Sequence, residues 1–311
     1  MKRSGWTGMA ERGSLVGLRF VVACYRWFGR PIGLVLAHVI VLYYFLTIPR
    51  ARRASRAYLR RIALHPEGSA RLRRAPDTWA SFLHFRAFAV SIIERIGLWL
   101  GPEGAFAFST EGLDCYRRLL RPDRGCLVVG AHLGSFDALR ALAVEDRVRV
   151  NVLMYTGNAP RINAVLRELS PGAELRIIES GGPPLDTVMR IRRCIENGEV
   201  VAILGDRVEP GDAGRTCRVS FLGDPVELPE SPYLLAGVLQ CPLVFMVALR
   251  EGPRRYRVCA EVLAEEVRAP RSEREKRTRE LAAAYASCLE RHCAAAPYQW
   301  FNFYDFWGDD A

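Results

Sequence analysis

Lysine is almost missing from this sequence of 311 residues: of 44 basic residues only Lys2 and Lys276 are lysines, and the rest are arginine. Against 34 acidic residues this leaves a formal net charge of +10, which favours acidic partners such as anionic lipid head groups, nucleic acid or an acidic carrier protein. An arginine excess suits bidentate phosphate contacts, and a GC-rich coding sequence produces the same bias. Paired cysteines are also lacking. The nine cysteines contain no Cys-x-x-Cys, so zinc and dithiol redox chemistry are unsupported, and runs such as Cys126-Leu-Val-Val read as core positions in a reducing compartment. No Gly-x-Ser-x-Gly elbow surrounds Ser135, which argues against a serine nucleophile. Repeats at solenoid periods are missing as well. Tryptophan is confined to both ends, Trp6 to Trp99 and then Trp300 and Trp307. With 50% hydrophobic and 25% charged residues, a disordered chain and a polytopic membrane protein are both excluded.

One long apolar run is present. From Pro31 to Pro49 no residue carries a formal charge. As a helix, 19 residues span roughly 28 Å, against a hydrocarbon core of about 30 Å. The run begins too far into the sequence for a signal peptide, and no small-x-small cleavage site follows it. It can span the bilayer, lie in one leaflet or form a buried core helix. Arginines on both flanks leave the orientation open. The six arginines between Arg50 and Arg61 would each add about 1 kcal/mol near anionic lipid. Residues 1–100 therefore read as a helical membrane-anchoring region and 101–311 as a catalytic domain.

In the second part, β-branched runs alternate with amphipathic stretches. Strands are expected at Cys126–Val129, Val148–Tyr155, Leu175–Ile178, Val200–Leu204, Leu243–Leu249 and Tyr256–Val262. Helices are expected at Ser135–Ala143, Arg161–Leu169, Leu185–Glu196, Tyr233–Leu239 and Glu273–Cys293. Such alternation predicts an α/β fold with a mostly parallel central sheet flanked by helices. Open α/β sheets bind ligands outside the carboxyl ends of their strands. Just past those ends lie His132 to Asp137, then Gly205-Asp206-Arg207, and Thr156 to Asn158 with Arg161 and Asn163 close behind.

His132 and Asp137 are five apart, which on one regular helix turns them about 140° away from each other. They can meet if His132 lies in a turn before the helix and Asp137 in its first turn, with Gly134 tightening the turn and Ser135 as N-cap. Asp137 would then orient the imidazole for work as a general base. The bland alternative, a histidine closing a strand beside an ordinary first-turn acid, is about as common on spacing alone.

His132-x4-Asp137 after an apolar strand resembles the signature of the lysophospholipid acyltransferase superfamily. The wider layout is most similar to its bacterial branch of lipid A late (lauroyl/myristoyl) acyltransferases: apolar anchor, arginine-rich flank, histidine block, Gly205-Asp206-Arg207, the Phe221–Pro229 element, the apolar stretch Leu234 to Leu249 and the aromatic close Pro297–Trp307. Two features depart from the pattern. That branch usually carries glutamate at the position of Asp137, and the Phe-Pro-Glu-Gly-Thr-Arg element of the glycerol-phosphate branch is only echoed by Leu228-Pro-Glu-Ser-Pro232.

The resemblance implies a bacterial inner-membrane enzyme, on the cytoplasmic face, that moves a fatty acyl group from an acyl carrier protein or coenzyme A thioester to a hydroxyl of a lipid or glycolipid. His132 and Asp137 would be catalytic. Asp206 and Arg207 would order the acceptor or the edge of the site. Arg161 and Arg176 are candidates for an acceptor or pantetheine phosphate, and Ser135 for the substrate or for the N-cap of the following helix. Amides around Gly134–Phe136 would stabilise the oxyanion. No covalent acyl-enzyme is needed, because a thioester is already activated, and neither a metal nor a cofactor is expected. Arg117, Arg118, Arg121 and Arg124, or Arg190, Arg192 and Arg193, offer docking patches for an acidic carrier. Rival readings are a thioesterase using the same dyad and a basic, membrane-tethered nucleic-acid-binding protein, although no nucleic-acid module is recognisable.

Overall fold

The computed structural model describes residues 15–72, 75–101, 104–154, 176–179, 184–209 and 214–308. It opens with four helices: α1 (Leu15–Thr47), α2 (Pro49–Leu64), α3 (Pro66–Leu72) and α4 (Thr78–Leu100). Helix α1 is two helices joined at Gly29, whose φ of 72° and ψ of −169° break the helical path. That backbone region is essentially confined to glycine, and Pro31 then restarts the helix from a pre-set φ. Residues Arg19–Thr47 are long and apolar enough to cross a membrane. One face of this stretch, with Ala37, Val41 and Phe45, packs against Phe85, Ala89, Ile93 and Ile96 of α4. The other exposes Ile32, Val35, Val39, Tyr43 and Leu46. Helix α2 buries Ala51, Ala54, Ser55, Tyr58, Leu59 and Ile62. The helical spacing of these residues leaves Arg53 and Arg60 exposed, while Arg61 bonds Asp224 and lies over the Trp307 ring.

The remaining helices are α5 (Leu113–Leu119), α6 (Phe136–Glu145), α7 (Pro184–Glu196), α8 (Ser231–Leu239) and α9 (Arg274–Ala295). The strands are β1 (Ala107–Glu111), β2 (Cys126–Gly130), β3 (Val150–Met154), β4 (Arg176–Glu179), β5 (Val200–Leu204), β6 (Thr216–Phe221), β7 (Asp224–Pro229), β8 (Leu243–Gly252) and β9 (Arg255–Ala264). Seven form one sheet in the order β1-β9-β8-β2-β5-β3-β4. Every pairing is parallel except that of β8 with β9, so the expected mostly parallel α/β sheet is present.

Alternation along β2 explains the layering. Leu127 and Val129 enter a core shared with α2, α7 and α9, while Cys126 and Val128 enter one shared with α5 and α6. Both faces of a central parallel strand are buried, which is why these strands read as unbroken apolar runs. All six expected strands are found, with ends shifted by a few residues. Two features lacked a sequence signal. Strand β1 is short, exposed and at the sheet edge. The Phe221–Pro229 element is the turn and second strand of a separate hairpin, β6–β7. The helix expected at Arg161–Leu169 lies outside the described residues.

A buried carboxylate fastens the amino-terminal helices to the sheet. Glu94 of α4 accepts hydrogen bonds from Arg30 at the kink of α1 (2.8 Å), from Arg250 on β8 (2.8 Å) and from the Tyr256 hydroxyl on β9 (2.9 Å). Removing one member of a buried ionic cluster leaves its partners desolvated and unpaired. Glu94→Ala is therefore expected to destabilise the fold by about 3–5 kcal/mol, measured as a lowered chemical denaturation midpoint in detergent. An unchanged midpoint would contradict this role.

Candidate active site

The site forms where β2 and β5 end side by side. Strand β2 stops at Gly130, and Ala131 to Ser135 cross the carboxyl edge of the sheet to reach α6. This crossing is held from two sides. The Ser135 amide donates to the Ala248 carbonyl and the Gly134 amide to the Gln299 carbonyl, each at 2.9 Å, while the Phe301 amide donates to the His132 carbonyl at 2.7 Å. Gly134 sits at φ +73°, and a Cβ there would stand 2.0 Å from the Ala248 oxygen. Only glycine permits so close a crossing. Ser135 caps α6, its hydroxyl accepting from the Ala138 amide at 3.2 Å.

From β5, Gly205 carries the chain to Asp206, which is buried. One carboxylate oxygen of Asp206 is 2.8 Å from His132 Nδ1. The other accepts from the His132 amide (2.9 Å), Trp300 Nε1 (3.0 Å) and Asn302 Nδ2 (2.9 Å). An ionised carboxylate only accepts hydrogen bonds, so Nδ1 carries the proton. The lone pair is thereby placed on Nε2, which no described residue engages. Burial opposes ionisation of Asp206, but the His132 contacts and the Arg207 cation outweigh it and hold the carboxyl well below its usual range. His132 moves downward from 6.5 as well. Burial and Arg207 lower it, Asp206 works the other way, and Arg95 adds a further lowering. A neutral imidazole with an open Nε2 is the form a general base needs.

Here the structure corrects the expected His132–Asp137 pair. Asp137 does occupy the first turn of α6, but it faces α4. Its carboxylate accepts from Arg95 Nε at 2.5 Å and from Trp99 Nε1 at 2.7 Å. The carboxylate that holds the imidazole is Asp206, brought in by parallel pairing of β2 with β5. Of the amides around Gly134–Phe136 expected to form an oxyanion hole, those of Gly134 and Ser135 donate to backbone carbonyls.

Other candidates are dispersed. Arg207 is turned to the carboxyl-terminal segment, donating to Asn302 Oδ1 (2.7 Å) and to the Phe301 carbonyl (3.1 Å). Arg176 lies at the opposite edge of the sheet, 3.3 Å from Glu199, and is remote from the site. Arg161 lies outside the described residues, as do Thr156 to Asn158 and Asn163. Arg121 and Arg124 form a tight turn ahead of β2. The segment of α7 bearing Arg190 to Arg193 leads into the start of β5. Both patches therefore sit toward the edge away from His132, and Arg117 is bonded to Asp146. A cavity of about 230 Å³ opens beside the crossing, lined in part by Val90, Ser91, Gly134, Ser135, Tyr298 and Phe301. Among the described residues no cluster of histidine, cysteine and acidic side chains is suited to hold a metal ion.

Sequence reasoning missed the roles of Arg95, Trp300 and Asn302. The last two belong to the aromatic close and could have been found as its polar and ring N–H donors. Arg95 had no signal among so many arginines.

Residues 83–308 match the family described as bacterial lipid A biosynthesis acyltransferase. The chain belongs to this family. As a lipid A biosynthesis acyltransferase it is an enzyme that transfers acyl groups to a lipid acceptor. No curated protein matches the sequence. Among solved structures it is similar to the 1-acyl-sn-glycerophosphate acyltransferase PlsC of Thermotoga maritima, at 13% identity and a TM-score of 0.35, over 84% of this chain and 97% of that one.

Asp206→Asn removes an anion that supports the imidazolium. The His132 pKa, already below 6.5, should then fall further in an NMR titration. An upward shift would contradict the assignment.

Proposed function

We propose that this lipid A biosynthesis acyltransferase uses His132 and Asp206 as a catalytic pair to move a fatty acyl group from a carrier protein or coenzyme A thioester to a hydroxyl of a lipidic, lipid A-like acceptor. The observation that carries the reading is the 2.8 Å contact between His132 Nδ1 and buried Asp206, which leaves Nε2 free at the carboxyl edge of the sheet. Nε2 takes the acceptor's hydroxyl proton as its oxygen bonds to the thioester carbonyl carbon. The tetrahedral intermediate then collapses with cleavage of the C–S bond, and the imidazolium returns the proton to the departing thiolate. Asp206 stabilises the imidazolium and fixes the tautomer. No acyl-enzyme is needed.

The exposed apolar face of α1 supports anchoring in the bacterial inner membrane, with residues 1–100 as the anchoring region and 101–311 as the catalytic one. The reducing compartment suggested by nine free cysteines agrees with a site on the cytoplasmic face, where acyl thioesters are available. Positive charge favours encounter with an acidic carrier.

His132→Ala should abolish transfer in an assay pairing acyl thioesters with lipid acceptors and reading the new ester by mass spectrometry. Asp206→Asn should lose roughly 100- to 10,000-fold. Undiminished transfer by His132→Ala, with its fold confirmed by circular dichroism, contradicts the mechanism. Acceptor-independent loss of thioester as the main reaction would point instead to a thioesterase.

A further inference from the structure

The cavity beside the crossing carries charge that the proposed proton transfer does not use. Helix α4 lends it Leu83, Arg86, Ala87 and Val90, positions three or four apart on one helical face. Arg250 of β8 lines it as well. An apolar wall thus carries two guanidinium groups.

Each guanidinium is held by its Nε. Arg86 donates from Nε to His38 Nε2 at 2.7 Å, and His38 Nδ1 donates to the Leu34 carbonyl at 2.5 Å. A ring that donates from one nitrogen and accepts at the other brings no negative charge to Arg86. Arg250 donates from Nε to Glu94 at 2.8 Å, but Glu94 also serves Arg30. Arg30, Arg86 and Arg250 therefore share one carboxylate. No described residue accepts a hydrogen bond from the Nη groups of Arg86 or Arg250.

The cavity is tied to both the catalytic edge and the apolar helix. The Gln299 side chain accepts from the Arg250 amide at 2.8 Å and donates to the Arg250 carbonyl at 2.9 Å. The Gln299 carbonyl accepts the Gly134 amide, two residues from His132. At the other end, His38 joins exposed Arg86 to α1, whose outer face is apolar. Arg250 is deeper, its side chain 28% exposed.

We infer that this cavity binds a phosphate monoester carried by the lipid acceptor, its oxygens taken by the Nη groups of Arg86 and Arg250. Leu83, Ala87 and Val90 meet the apolar part next to the phosphate. The inference rests on the proposed transfer to a lipidic acceptor and names that acceptor's chemical class. Guanidinium forks match phosphate oxygens in pairs, and attachment to α1 favours a lipid over a soluble phosphate.

The test titrates the full-length enzyme in detergent with a short-chain phosphatidic acid, the matching diacylglycerol and coenzyme A, read by calorimetry. Wild type should bind the phosphatidic acid at least about tenfold more tightly than the diacylglycerol. Arg86→Gln, at an exposed position outside the Glu94 cluster, should weaken phosphatidic acid binding about 10- to 100-fold, as expected for lost hydrogen bonds to a charged group. Arg86→Lys keeps the charge without the fork and should fall between. Arg218→Gln removes an exposed cation from β6 and should bind as wild type does. Unchanged binding in Arg86→Gln overturns the inference, and so does an equal loss in Arg218→Gln, which reports general attraction of anions. If coenzyme A competes with the phosphatidic acid and loses affinity in Arg86→Gln, the phosphate belongs to the donor and the lipid assignment is overturned. Binding is read without turnover, so the two readings fail separately. Active His132→Ala removes the transfer mechanism, whereas wild-type phosphatidic acid binding by Arg86→Gln removes the phosphate site alone.

Discussion

The buried carboxylate of Asp206 is the point on which the site depends. A lone carboxylate in a protein interior costs several kcal/mol and would pick up a proton rather than stay charged. Asp206 avoids this by accepting from four donors on two segments: the His132 ring and amide after β2, and the Trp300 indole and the Asn302 amide near the carboxyl terminus. Each donor needs the others in place for the charge to be tolerated. The imidazole's tautomer and direction follow from this network, as does the seating of the carboxyl-terminal segment over the strand ends. The aromatic close therefore acts as a structural wall of the site. Trp300 is wholly buried and packs edge-on to Phe221 of the hairpin and against Tyr58 of α2.

A second carboxylate, Glu94, does for the domain layout what Asp206 does for the chemistry. Through Arg30 and Arg250 it joins the kink of α1 to the end of β8. The apolar helix is thus keyed to the sheet by a fixed ionic contact beside the α1–α4 packing. Helix α4 lies between these centres: Glu94 turns toward the sheet, Arg95 toward α6, and Val90 and Ser91 toward the cavity.

Much of this was readable from the chain. Core strands were legible because strands buried on both faces must be apolar at every position, as in Cys126-Leu-Val-Val and Val200 to Leu204. The turn at Gly134 and the cap at Ser135 were legible because local backbone chemistry decides them. Strand β1 was not, since an exposed edge strand of five residues needs no apolar pattern. The partner of His132 was misread for a related reason. A carboxylate five residues away is a neighbour in sequence, but parallel pairing of β2 with β5 places one from 74 positions along the chain against the ring. Spacing within a motif reports local geometry, and sheet order is a long-range property that no motif spells out. The motif's acid instead faces α4, where Arg95 and Trp99 hold it.

The most direct measurement of the central claim is the ring proton of His132 in ¹⁵N-labelled enzyme, followed in Asp206→Asn and in Asp137→Asn. A carboxylate-bound Nδ1 proton gives a strongly downfield resonance. The arrangement described here predicts that this resonance is lost in Asp206→Asn and kept in Asp137→Asn. Loss in Asp137→Asn with retention in Asp206→Asn would contradict it.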